Sequence, residues 1–146
     1  MAHPPRNDPY RNFRFRVEID NVASAGFSEV EIGDWSVEVV EYREGNEPAA
    51  VRKVPGLHKY GDVTLKRGMT TSLELFQWFQ QLVNGDRDFR RNVVITLLAD
   101  DGTELTRFRV KEAWPRKLVV GPLHAKGNEV LIETIELVNE GVERVQ

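Results

Sequence analysis

Apolar and polar residues alternate with a period of two over much of this chain. In residues 12–20, NFRFRVEID, Phe13, Phe15, Val17 and Ile19 fall on one face and Arg14, Arg16, Glu18 and Asp20 on the other, which predicts a half-buried strand. EVEI, with Val30 and Ile32 in phase, and WSVEVVEY, with Val37 and Val39 opposite Val40 and Tyr42, predict two more. Val63 and Leu65 alternate with Asp62, Thr64 and Lys66 in a further strand. The period then changes. Thr71 stands three residues before Glu74, the spacing of a capping box, and Leu75, Phe76, Phe79, Leu82 and Val83 follow at helical intervals. These predict a helix over residues 72–83, stopped by Gly85 after Asn84. Phe76 and Phe79 read as its core face, and Trp78 leans off that stripe as a partner contact.

Further along, NVVITLLADDGTELTRFRV predicts a hairpin turning at Asp101-Gly102, with Phe108 and Val110 on one face and Arg107, Arg109 and Lys111 on the other. Val93 to Leu98 is apolar on both faces, so one face requires the helix as cover. In EVLIETIELV, Val130 and Ile132 share one phase and Ile135 and Leu137 the opposite one, which predicts a bulge or a change of sheet near Glu133. Residues 43–61 hold two prolines and three glycines without a sustained period and read as a long polar loop. The sum is seven or eight strands and one helix: a mainly β, antiparallel barrel-like or sandwich-like fold with a flanking helix.

Composition narrows the function. With 146 residues, 40% of them apolar, one self-standing core is expected, hence a single domain. Twenty basic against 23 acidic residues leave a net charge of -3, which gives no polyanion-binding surface. The chain has no cysteine, so disulfides, thiol nucleophiles and Cys-ligated zinc are excluded. No secretory h-region or membrane-length apolar run is present, so the protein is expected to be made in the cytoplasm, without membrane anchoring. His3, His58 and His124 lack metal-site spacing. GLHKYGD has phosphate-loop glycines without the Lys-Ser/Thr that must follow them, and Asp86, Asp88, Asp100 and Asp101 sit in turns. No catalytic, cofactor or metal residues are therefore assigned. The interleaved Phe and Arg of NFRFRV leave a small β-barrel module for single strands or peptides as one alternative.

DPYRNFRFRVEID, VPGLHKYGDVTLKRGMT with its helix, and EAWPRKLVVGPLHAKGNEVLIETIELVNEG together resemble the tail tube family of contractile phages and phage-like injection systems. The resemblance spans residues 8 to 142; its most specific parts are Gly56-Leu57-His58-Lys59, Leu65-Lys66-Arg67-Gly68 and Glu136-Leu137-Val138-Asn139-Glu140-Gly141. Haemolysin-coregulated ring proteins of type VI secretion are similar in fold. It implies hexameric rings stacked into a hollow tube inside a sheath, baseplate, spike and terminator proteins as further partners, and DNA or effector cargo in the lumen. Such a subunit belongs to a phage tail or to an injection particle. A tube-initiator or baseplate paralogue of the same machine is the second implication. In that setting residues 1–9 are expected to form an extended arm and the loop at 43–61 an inter-subunit contact. Glu44, Glu47, Arg52, Lys53, His58, Lys59, Lys66, Arg67 and Trp78 are its interface candidates. The exposed rows Arg14, Arg16, Glu18 and Arg107, Arg109, Lys111 are candidates for the lumen or the outer face.

Overall fold

The computed structural model of the protein describes residues 14–20, 26–43, 45, 51–127 and 129–145. They form nine strands and one helix: β1 Phe15–Ile19, β2 Glu29–Glu31, β3 Trp35–Tyr42, β4 Arg52–Tyr60, β5 Val63–Gly68, α1 Glu74–Val83, β6 Arg91–Leu98, β7 Glu104–Val120, β8 Ile132–Val138 and β9 Gly141–Arg144. Seven strands make one antiparallel sheet in the order β1-β6-β7-β8-β5-β2, with β9 also on β7, while β3 and β4 pair only with each other. The 17-residue β7 bends this sheet into two layers. Its first part pairs with β6 and β9, its last part with β8. Between the two, Glu112 takes a left-handed conformation, φ 52°, and its N–H is received by the Asn92 side chain at 3.3 Å. The change of sheet expected near Glu133 thus belongs to β7, at Glu112.

Side chains from both layers meet inside. Val17, Ile19, Val93, Ile95, Val110 and Val142 come from one layer, Val63, Leu65, Ile135 and Leu137 from the other, and Leu75 and Trp78 from the helix. Full burial of each large apolar side chain is worth about 1.5–3 kcal/mol. The helix differs from its sequence pattern. Leu75 and Trp78 are its buried residues, whereas Phe76 is exposed and Phe79 half-buried. Trp78 wins the inward position because its indole N–H finds a partner there, the Phe89 carbonyl at 2.6 Å, and the Arg91 guanidinium lies over the ring at 5.0 Å. No capping box forms. The helix starts at Glu74, whose N–H meets the Ser72 hydroxyl at 3.5 Å, and Thr71 is not its cap. At the other end the Asn84 N–H reaches Gln80 and the Gly85 N–H reaches Leu82, closing the last turn.

β8 is continuous through Glu133, with Glu133, Ile135 and Leu137 all buried. Its apparent phase break arises because an inward position carries a charge. Glu133 is the cross-strand partner of Arg67 on β5, and the two form a buried ion pair at 3.1 Å, each side chain about as enclosed as the leucines beside it. Arg67 continues the inward row of Val63 and Leu65, and its guanidinium also lies 5.6 Å from the Phe27 ring centroid.

Candidate assembly interface

The expected loop at 43–61 is largely strand. Residues 52–60 form β4, which pairs with β3 from Trp35↔Tyr60 to Tyr42↔Arg52. Pro55, Gly56 and the missing period suggest a loop, but this stretch makes a bulge: Val37 faces His58 and Val39 faces Pro55, with one residue of β3, Glu38, between them against two of β4, Gly56 and Leu57. A bulge shifts the phase of the strand that carries it, which erases the alternation. Gly56 suits this point, since a Cβ there would lie 2.9 Å from a methyl of Val40, which would have to move aside.

β3 and β4 are the distal half of one long hairpin whose proximal half is β2 and β5. The halves meet at a neck where Gly33-Asp34 and Gly61-Asp62 cross. Gly33 has φ +86°, and a Cβ on it would stand 2.5 Å from the Asp62 carbonyl oxygen. At Gly61 a Cβ would be 2.9 Å from the Asp34 nitrogen, and the Gly61 N–H donates to the Asp34 carbonyl at 2.6 Å. Only glycine permits such approach.

Among the described residues, the ribbon beyond the neck touches the remainder chiefly at its base, where the Trp35 ring packs at 6.3 Å on Phe108 and the Tyr60 ring borders Gly141. Every described residue of β3, and all of β4 but Gly56, is exposed. Val37, Val39, Val40, Val54 and Leu57 are among them, Val39 at 64% and Leu57 at 70%. A two-stranded ribbon of this kind is marginal in water by itself, and its outer edges offer unpaired backbone groups.

This arm, β3 with β4, gathers four of the interface candidates with described side chains or registers. Lys59 pairs with Glu38 at 3.1 Å, Lys53 stands opposite Glu41, Arg52 donates to the Tyr42 hydroxyl at 3.5 Å, and His58 lies across from Val37. Lys66 sits apart, half-exposed on β5 and paired with Glu29 at 3.6 Å. Glu44 and Glu47 lie outside the described residues, as do residues 1–9. Two candidates leave the list. Arg67 is 3% exposed and engaged by Glu133, and Trp78 is fully enclosed in the core, so neither can meet another subunit. The exposed apolar residues of the arm carry no mark in the sequence that separates them from core residues, whereas its charges do stand out.

The other candidate set is brought together on the outer face of the β1-β6-β7-β9 layer. Arg16 bridges Glu18 at 2.8 Å and Glu104 at 2.7 Å, Arg107 also holds Glu104, and Arg109 and Lys111 share Glu143 at 3.3 and 3.2 Å. Arg14 donates to the Asp100 carbonyl at 2.6 Å. Hydrogen bonds from Arg16 and then Arg107 hold the Glu104 carboxyl below the usual carboxylate range. The rows form a charged, self-paired surface. Among the described residues no group of three His, Cys, Asp or Glu side chains could hold a metal ion, and no helix is long and apolar enough to cross a membrane.

Solved structures share this architecture. A chain in the anti-feeding prophage baseplate is 25% identical with a TM-score of 0.82, over 96% of this chain and 97% of that one. One in the sheath-tube complex of the PVC extracellular contractile injection system, extended state, is 26% identical with a TM-score of 0.81, over 95% and 93%. Hcp1 of Flavobacterium johnsoniae, 17% identical over 89% and 93%, shares the fold at a TM-score of 0.55. The comparison with curated proteins gave no match. The family model of the T4-like virus tail tube protein gp19 matches residues 11–143, the two-layered body and the arm alike. The chain belongs to that tail tube family.

Proposed function

We propose that this chain is the repeating subunit of the inner tube of a phage-like contractile injection system or contractile tail, and that its arm joins one subunit to the next. The apolar arm carries this reading: a ribbon with valines and a leucine on its surface and no cover among the described residues is suited to a partner, and a second copy is the partner that a tube supplies. Hexameric rings stack head to tail into a hollow tube. Sheath, baseplate and terminator proteins bind the outside and the two ends, and the tube conducts cargo as a passive channel, without catalysis. The body supplies the wall, its charged outer rows giving a non-adhesive face suited to a lumen or a sheath-facing surface. A tube-initiator role is favoured by one observation, the match within a baseplate structure. Electron microscopy of the purified protein tests both: extended tubes identify the repeating subunit, isolated single rings the initiator. A compact monomer at tens of micromolar, roughly the range of a modest interface, refutes both.

A further inference from the structure

Asn139 belongs to the short turn between β8 and β9, far in sequence from the arm. Its side chain works in two directions. The Oδ1 atom accepts the Gly141 N–H at 3.1 Å and shapes the turn, while the Nδ2 group donates to the Gly61 carbonyl at 3.0 Å, at the neck. That carbonyl belongs to the residue whose N–H is already bound to the Asp34 carbonyl, so one residue, Gly61, ties the two strands of the neck to each other and to the body. Arg116 braces the adjoining residue: its Nε lies 2.7 Å from Asp62, and its Nη2 donates to Glu136 at 2.9 Å. On the other strand the Trp35 ring abuts Phe108.

We propose that Asn139 is the positioning residue of the arm: by fastening the Gly61 carbonyl it fixes the direction in which the arm leaves the body, and so the angle at which one subunit meets the next. This rests on the proposed role of the arm in assembly. An unfastened ribbon swings about the narrow crossing at Gly33 and Gly61, and each swing removes it from the orientation its receptor requires; a hold made before contact lowers the ordering cost of association. Glycine makes the crossing possible and gives it no stiffness of its own. The stiffness comes from Asn139, with Arg116 and Trp35 as secondary braces.

Two substitutions separate this role from a merely structural one. Asn139→Asp keeps the acceptor for the Gly141 N–H and removes the donor to Gly61, whereas Asn139→Ala removes both. Because the chain has no cysteine, spin labels at Leu57→Cys on the arm and Val119→Cys on β7 report the arm's direction without background. Labelled protein is diluted into unlabelled monomer, and thermal melts confirm that each variant folds. The labelled parent should give one narrow distance distribution and both labelled variants a broad one, and the tube yield of Asn139→Asp and Asn139→Ala without labels should fall by about tenfold, the population shift that loss of one good hydrogen bond produces. A distribution that stays narrow in Asn139→Asp and Asn139→Ala overturns the proposal and leaves the arm's role in assembly intact. Broad distributions with undiminished tubes overturn that role and leave the fastening in place.

Discussion

Arg67 and Glu133 show what single residues decide in this fold. Each is a charge in a row of leucines, isoleucines and valines, and each is tolerable because the other faces it across the β5–β8 ladder. Removing one partner strands the other in the core, so Glu133→Ala or Arg67→Ala should destabilise the monomer by about 3–5 kcal/mol, while Arg67→Met with Glu133→Leu should recover most of that loss. Denaturant midpoints of the two single variants and the double one measure both effects. Glu112 is the opposite case, a residue in a conformation its side chain disfavours. Glu112→Gly relieves the left-handed backbone but loosens the unfolded chain, and a net gain of up to about 1 kcal/mol is expected in the same measurement. Glu104 carries a pH dependence. Its carboxyl is depressed by Arg16 and Arg107, so its contribution is present above the usual carboxylate range and is lost as pH falls through the lower folded value. Glu104→Gln should therefore lower the denaturant midpoint at neutral pH and differ little from the parent in strong acid.

At the scale of elements, the strands with regular alternation were legible because burial and phase agree there. Phe15 to Ile19, Val63 to Leu65 and the hairpin at Asp101-Gly102 all fall where the pattern placed them. Three features hid. β4 was masked by its bulge, the continuity of β8 by a buried charge, and the inward face of α1 by Trp78, whose polar edge needed a partner eleven residues away that no periodicity reveals. Trp78→Phe should fold with a modest loss, since the hydrogen bond to Phe89 goes but most packing remains; Trp78→Ala should cost about 3–5 kcal/mol by thermal or chemical melts. The exposed apolar arm was least legible of all. A surface valine on a paired strand looks like a core valine in sequence, and only the isolation of β3 and β4 from the other seven strands separates them.

For the whole molecule, the separation between body and arm predicts a separation between folding and assembly. Val39→Lys with Leu57→Lys alters two exposed positions outside the core, so monomer stability should change by no more than about 0.5 kcal/mol. Tubes should nevertheless be abolished in electron micrographs, because a lysine pair cannot be buried against a second subunit without a countercharge. Tubes formed normally by this variant would remove the arm from the interface. The charged rows of β1 and β7 should tolerate conservative exchange more readily, as their ion pairs are exposed and individually weak.

β7 has a mechanical consequence. The braces of the arm end on it or on strands zipped to it: Phe108 and Arg116 are its own residues, and the Asn139 turn joins β8 to β9, both hydrogen-bonded along its length. A push on the arm is thus delivered to β7, the one described strand that runs through both layers of the body. It is taken up there as shear across several ladders at once, the loading direction in which many hydrogen bonds must yield together. A rod assembled from such subunits would transmit thrust along its axis with little give, through a path of force that begins at a side chain of one asparagine.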